Sequence, residues 1–237
     1  MHQVYVIRQL RQENTRTRTL VCDGALPAQP GQFVMVWLPG VGEKPFSVAG
    51  DDPLTLLVVG VGPVTRAINE LRVGDRLWVR GPLGQGYALT GERLLLVGGG
   101  YGVAPLRFLA ERGLAQGLAV EACLGARCAD ELLLCADLGA LGVPLHLATE
   151  DGSLGERGLV TAPLASRLAA WRPDLVCACG PTPMLEAVER LCAAQGIASQ
   201  LSWEAEMRCG QGVCGSCECR RPGWLACVDG PVAAGER

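Results

Sequence analysis

The stretch LLLVGGGYGVAPLRFLAERG, residues 94–113, decides the fold class of the larger part of the chain. Four consecutive apolar residues run into a glycine cluster and then into an apolar segment long enough for a helix. A strand with no polar alternation is buried on both faces, as parallel sheets require. The pattern then repeats. LAVEACLGAR (118–127) reads as a strand and its turn, ADELLLCADLGAL (129–141) as helical, and VPLHLATEDG (143–152) as a strand. LVTAPLASRLAAW (159–171) reads as a strand end and a helix, and PDLVCAC (173–179) as a strand opening into Gly180-Pro181-Thr182-Pro183. A helix over 184–195 and a strand over 198–202 complete the series. Strands alternating with helices predict a parallel doubly wound sheet, whose ligands bind at the carboxyl ends of the strands. Gly98, Gly99, Gly100 and Gly102 stand at one such end, and Cys179, Gly180 and Pro181 at another. The first group lacks the last glycine of G-x-G-x-x-G, so it is a different dinucleotide turn or simply a tight turn.

Residues 1–90 have another texture. Short strands over 3–7, 19–22, 31–37, 54–59 and 75–80, punctuated by Gly and Pro, predict a small antiparallel β-barrel. One helix, 65–71, interrupts it. Two loops carry chemistry-bearing residues: Lys44-Pro45-Phe46-Ser47, and Gly62-Pro63-Val64-Thr65 ahead of the helix. Free N–H groups at a helix start suit a pyrophosphate. The blander reading makes the first a plain turn and Thr65 a plain N-cap.

The tail from 208 reads RCGQGVCGSCECRRPGWLACVDGPVAAGER. Cys209, Cys214 and Cys217 form a C-x4-C-x2-C array, and Cys227 follows after nine intervening residues. That is the plant-type iron–sulfur spacing, so these four thiolates are the candidate ligands of a [2Fe–2S] cluster. Gly210, Gly212 and Gly215 let the loop curl so that amide N–H groups reach sulfur. Zinc also takes four thiolates, but usually from two separated knuckles. Cys219 is read as a spare thiol, not a ligand.

The chain has 237 residues, 21 Lys plus Arg against 24 Asp plus Glu, and 12 cysteines. No basic face argues for nucleic acid, no apolar run is long enough for a membrane span, and no signal-peptide pattern opens the sequence. Many cysteines without an export signal predict a cytoplasmic protein. His2 and His146 are the only histidines, and no Ser-His-Asp set is visible. The domains expected are therefore a barrel over 1–90, an α/β domain over 91–204 and a cluster module over 205–237.

Taken together, these motifs resemble the ferredoxin–NADP reductase superfamily, and the resemblance covers essentially the whole chain. Lys44-Pro45-Phe46-Ser47 is similar to its Arg-Pro-x-Ser element, with lysine in place of arginine. Val64-Thr65 is similar to its second FAD element, and GPLGQGY (81–87) to the segment closing its barrel. GGGYGVAPL (98–106) is similar to its nicotinamide turn, and CGPTPML (179–185) to its CGPxPMM. The resemblance implies FAD held by Lys44, Pro45, Phe46, Ser47, Leu57, Val58, Val59, Val64 and Thr65. A basic residue often stands where this chain has Val59. It implies NAD held by Gly98, Gly99, Gly100, Gly102, Asp151, Gly180, Pro181 and Met184. Glu150-Asp151 disfavours a 2′-phosphate, whereas Arg127 favours one. Cys179 would lie near the reacting nicotinamide carbon; its other reading is a packed thiol.

Within the superfamily, EAEMRCG before the cysteines and CVDGPV after them resemble the electron-transfer subunit family of NAD-dependent dihydroorotate dehydrogenase. Here Ala233 replaces a phenylalanine and the segment between Cys217 and Cys227 is short. The resemblance implies an FMN-containing catalytic partner subunit in a heterotetramer of two of each, serving dihydroorotate oxidation in pyrimidine biosynthesis. Electrons would run from FMN through the cluster and FAD to NAD. The γ subunits of cytosolic hydrogenases and the small subunit of ferredoxin-dependent NADPH transhydrogenases are the alternatives. A non-enzymatic iron–sulfur scaffold and a stand-alone ferredoxin reductase are the others.

Overall fold

The computed structural model describes residues 1–235; Glu236 and Arg237, the last two residues of the expected cluster module, lie outside the described residues. The chain divides into two compact units. One is Met1–Gly86 with Ala205–Pro231; the other is Tyr87–Glu204 with the end of the chain from Val232.

The first unit contains a closed six-stranded barrel in the order β1-β2-β5-β4-β3-β6. Its strands are β1 (Gln3–Asn14), β2 (Thr17–Cys22), β3 (Phe33–Leu38), β4 (Gly42–Asp51), β5 (Leu54–Val59) and β6 (Arg76–Leu83). All neighbours are antiparallel. β1 outruns its expected end at residue 7, because the polar residues Arg11 and Gln12 pair with Thr19 and Arg18 in a hairpin.

The segment Lys44-Pro45-Phe46-Ser47, expected as a loop, is part of β4. Its registers run Val34↔Phe46 and Met35↔Pro45. Over this stretch β4 pairs with β3 alone; its pairing with β5 begins at Val48. A proline with one neighbouring strand deprives the sheet of nothing on the open side, so the ring is tolerated there. The helix α1 spans Pro63–Asn69, two residues earlier than expected. Gly62 is its N-cap and Pro63 opens it, which moves Thr65 from cap to third helical position.

The second unit is built on a seven-stranded sheet in the order β10-β9-β8-β7-β11-β12-β13. The parallel strands are β7 (Arg93–Gly99), β8 (Ala119–Ala126), β9 (Leu145–Thr149), β10 (Glu156–Arg157), β11 (Leu175–Cys179) and β12 (Ala198–Ser202). β13 (Val232–Ala234) adds an antiparallel edge on β12. The helices are α2 (Val103–Ala115), α3 (Cys135–Ala140), α4 (Thr161–Ala170) and α5 (Thr182–Ala194). Only six residues of the 129–141 stretch are α-helical. Leu134 adopts φ 54° while Leu133 and Leu134 are buried, so the chain leaves helical geometry to sink both side chains. Leu159 and Val160, expected as a strand end, precede α4 without forming a strand.

Leu94, Leu95, Leu96 and Val97 are fully buried, each contributing roughly 1.5–3 kcal/mol of transfer free energy. From β7 the chain winds one way through β8, β9 and β10, then returns to lay β11 and β12 on the other side. Right-handed crossovers in opposite directions put their helices on opposite faces, and the gap between β7 and β11 is the topological switch point. Both glycine turns lie there. A Cβ on Gly102 would stand 2.2 Å from the Cys179 carbonyl oxygen, so only hydrogen fits between the two turns.

Gly102→Ala should therefore cost about 3 kcal/mol through overpacking. Gly100→Ala meets no atom within 4 Å but must hold φ 53°, so it should cost about 1–2 kcal/mol. Urea denaturation of the two variants checks the order; equal costs contradict the close approach.

Candidate functional site

In the tail, Gly210, Gly212 and Gly215 have φ of 63°, 74° and 70°, which wraps the loop around its own sulfurs. The Gln211 N–H donates to Cys209 Sγ at 3.4 Å, and the Gly212 N–H to Cys227 Sγ at 3.2 Å. Cys214 Sγ lies 3.1 Å from Ser216 Oγ. The four thiols come as two neighbouring pairs, Cys209 beside Cys214 and Cys217 beside Cys227, with Cys209 and Cys214 acting on each other's ionisation and Cys217 on that of Cys227. Cys219 belongs to neither pair. Among the described residues no three Cys, His, Asp or Glu side chains converge as a single-ion site would need.

A short two-stranded ladder explains how nine residues suffice between Cys217 and Cys227. The Ala226 N–H donates to the Cys217 carbonyl and the Cys219 N–H to the Trp224 carbonyl. The turn passes through Arg220 at φ 63° and Gly223 at φ 80°. Asp229 Oδ2 then accepts from the Leu225 N–H at 2.8 Å, which closes the segment behind Cys227. The electrostatics are graded across the loop. The Gln211 N–H, followed by that of Cys214, pulls the Cys209 thiol below its usual range. The Ser216 hydroxyl contact and N–H bring the exposed Cys214 down to about 6. Burial pushes Cys227 up to about 11 and raises Cys219 as well.

The loop is seated on the outer face of β3 and β6. A Cβ on Gly210 would stand 3.1 Å from Met35 Cγ. Arg80, on β6, donates from Nη2 to the Cys209 carbonyl at 2.6 Å. The same guanidinium grips Glu43 of β4 in a fork, Nε and Nη2 each 2.8 Å from a carboxylate oxygen. Glu43 holds Arg80 above, and Arg80 holds Glu43 below, their ordinary ranges. Arg80 Nη1 is buried without a protein acceptor among the described residues. The Gln85 N–H donates to the Gly230 carbonyl at 2.5 Å, which fixes the other end of the tail. Sequence reasoning missed Arg80 and Glu43. The one available signal was FVMVW, apolar on both faces, which an uncovered barrel strand is not.

The other barrel candidates gather on β4, β5 and α1. Phe46 is buried, Ser47 half-buried and Lys44 exposed; Leu57 and Val58 are buried and Val59 half-buried. Val64 is buried against Gly42, where a Cβ would stand 2.9 Å from Val64 Cγ2. Thr65 Oγ1 accepts the N–H groups of Val61 and Gly62 at 3.0 and 2.9 Å, so the hydroxyl shapes the loop itself. Arg66, exposed on α1, is a cation that the sequence reading passed over while noting Val59 where a basic residue was sought.

In the second unit the two glycine turns interlock. A Cβ on Gly99 would stand 2.7 Å from Met184 Sδ and 2.9 Å from Pro181 Cδ, and one on Gly180 would stand 2.6 Å from Met184 Cε. Gly98, Gly99, Gly102, Cys179, Gly180, Pro181 and Met184 thus form one cradle of backbone, with Gly100 on its open side. Cys179 is buried, and burial followed by Glu204 pushes its thiol up to about 12. A thiol so placed stays protonated near neutral pH and is no nucleophile. Tyr101 Oη donates to Glu204 Oε2 at 3.1 Å, and burial raises the Glu204 carboxyl. Asp151 lies apart from this cradle, beyond the end of β9. Its Oδ1 accepts from the Ser153 hydroxyl at 2.6 Å and N–H at 2.9 Å, which lowers its pKa. Arg127 is forked onto Glu131.

The iron–sulfur cluster binding domain of dihydroorotate dehydrogenase B matches residues 204–237. A relative from Thermococcus kodakarensis, named "Probable dihydroorotate dehydrogenase B (NAD(+)), electron transfer subunit", is 46% identical over 88% of this chain and 85% of its own. One of the same name from Methanothermobacter thermautotrophicus is 39% identical over 97% of this chain and 88% of its own. Among solved structures, a chain of an NADH-dependent reduced ferredoxin-NADP oxidoreductase, described for flavin-based electron bifurcation, superposes with a TM-score of 0.87. It is 28% identical over 98% of this chain and 88% of that one. The cytochrome b5 reductase domain of Ulva prolifera nitrate reductase shares the fold, with a TM-score of 0.70 at 16% identity over 83% of this chain and 94% of that one. The chain belongs to the family of electron transfer subunits of dihydroorotate dehydrogenase B (NAD(+)).

Proposed function

We propose that this chain carries electrons between a nicotinamide nucleotide and a catalytic partner subunit that oxidises dihydroorotate, with FAD and a [2Fe–2S] cluster as its own cofactors. The observation that carries the reading is the arrangement of the tail thiols. Two pairs of cysteines, surrounded by N–H donors, match the demand of two irons with two thiolates each.

Cys209 and Cys214 would hold one iron, Cys217 and Cys227 the other. The N–H groups of Gln211 and Gly212 spread the negative charge of the thiolates. Ser47 on β4 and the loop shaped by Thr65 border the proposed FAD site, with Lys44, Pro45, Phe46 and the residues Leu57, Val58, Val59 and Val64 as its wall. Lys44 and Arg66 supply positive charge for its phosphates. Gly98, Gly99, Gly100, Gly102, Gly180, Pro181 and Met184 let NAD approach the backbone at the switch point. Cys179 packs beside the nicotinamide as a neutral thiol; Asp151 favours the unphosphorylated ribose from a neighbouring strand end. Flavin exchanges electrons in pairs with nicotinamide and singly with an iron–sulfur cluster, which is why a chain with both sites needs FAD.

Acid–base work on the organic substrate belongs to the partner, proposed as an FMN-containing subunit in a two-plus-two heterotetramer. In the described residues His146 is engaged with Glu121 at 2.7 Å and His2 with Glu43 at 3.1 Å. No helix of the described residues is long and apolar enough to cross a membrane, and we place the complex in the cytoplasm. The likeness to the NADH-dependent reduced ferredoxin-NADP oxidoreductase favours a second reading, in which ferredoxin chemistry replaces dihydroorotate.

Two outcomes are expected. Cys219→Ser should retain the iron and sulfide of the wild type after anaerobic reconstitution, while Cys214→Ser should lose most of both; iron and sulfide assays decide, and the reverse order displaces the ligand assignment. The isolated chain loaded with FAD should oxidise NADH with an artificial acceptor yet leave dihydroorotate untouched. Adding the partner subunit should couple dihydroorotate oxidation to NAD reduction, followed at the NADH absorbance. If the mixture reduces NAD only when reduced ferredoxin is supplied, the second reading takes over.

A further inference from the structure

We infer that Arg80, clamped by Glu43, sets the position and the reduction potential of the iron–sulfur loop. The inference rests on the cluster reading and extends it to residues outside the cysteine motif. Arg80 lies on β6 opposite Met35 of β3, and Glu43 on β4 opposite Trp37. Both project from the outer barrel face, where Met35 is covered by the loop at Gly210. The Arg80 side chain is 13% exposed and that of Glu43 22%, so solvent screens the pair only in part.

The guanidinium has two tasks in this geometry. Nε and Nη2 lock onto both oxygens of Glu43, which fixes the plane of the fork. From that fixed plane Nη2 also reaches the carbonyl of Cys209, the first ligand of the array. Lysine has no such fork, so it cannot hold the carboxylate bidentately and the carbonyl together. Nη1 is buried with no acceptor among the described residues, an orphaned donor that suits a strongly anionic neighbour.

The electrostatic consequence has a definite sign. Reduction adds one negative charge to the cluster, so a fixed cation beside the loop favours the reduced form. Glu43 opposes it, and Nη2, bonded to both carboxylate and loop, is the link between the two effects. Removing the cation alone leaves the carboxylate, still beside His2 at 3.1 Å, on the barrel face that carries the loop; removing the carboxylate alone leaves the cation without its anionic partner. A role confined to packing has no reason to produce opposite signs.

The test is an EPR-monitored redox titration of the reconstituted holoprotein, with iron content measured on the same samples. Arg80→Gln should lower the cluster potential and Glu43→Gln should raise it. At a fixed applied potential each should change the oxidised-to-reduced ratio on the order of tenfold, about 59 mV for a one-electron couple. The double variant should return towards the wild type. Arg80→Lys should keep most of the potential while broadening the cluster signal, because charge is kept and the fork is lost. If Arg80→Gln fails to retain iron, Glu43→Gln still decides the sign. Potentials that move together, or do not move while the cluster is intact, overturn the inference alone. A wild type that assembles no two-iron signal overturns the cluster reading and this inference together.

Discussion

The return of the tail to the barrel is the constraint on which the redox arrangement depends. The residues that could hold a cluster come last in the chain, yet Ala205–Pro231 packs into the same compact unit as Met1–Gly86. Three contacts of different chemistry fasten it. Gly210 lies over Met35, the Cys209 carbonyl accepts from Arg80, and the Gly230 carbonyl accepts from the Gln85 N–H. Gly84 is required at the last of these, since a Cβ there would stand 2.5 Å from the Gly230 oxygen. Two glycine-rich segments separated by more than a hundred residues are thereby explained together. A one-electron centre and a flavin exchange electrons usefully only if held at a fixed separation, and one folded unit would supply that for the two sites proposed on it.

The second unit solves a different problem. A dinucleotide needs backbone that it can approach closely, and the switch point between β7 and β11 exposes two turns side by side. Gly102 and Gly180 are small because the turns press on each other. Cys179 then sits in a buried, protonated state, and the titratable groups nearby, Tyr101 and Glu204, are raised above their ordinary ranges by burial. Such an environment offers no ready base to a substrate. That division agrees with a subunit whose family is named for electron transfer, the organic chemistry being done by its partner.

Much of this was legible in the sequence, for physical reasons that can be named. The parallel sheet announced itself through LLLV before glycines, and β12 at 198–202 was read with its observed bounds. The cysteine spacing pointed to the cluster because few other sites demand it. What was not legible depended on partners remote in sequence. Pro45 reads as a turn until one knows that β4 pairs on one side only there. Leu133 and Leu134 read as helix until their burial turns Leu134 to positive φ. Arg80 and Glu43 are ordinary surface charges in a one-dimensional reading; their fork is made by strand register. β13 was invisible because Val232–Ala234 is short and gains its identity only by pairing with Leu201 and its neighbours.

The central claim is that one chain joins a two-electron nucleotide site to a one-electron cluster. The direct measurement is an anaerobic titration of the reconstituted chain, without partner, by NADH, followed by visible absorbance and EPR on the same samples. The account predicts that the flavin bleaches and a reduced [2Fe–2S] signal grows with it. A flavin that bleaches fully while the cluster stays oxidised at every NADH concentration, although dithionite reduces it, would contradict the account.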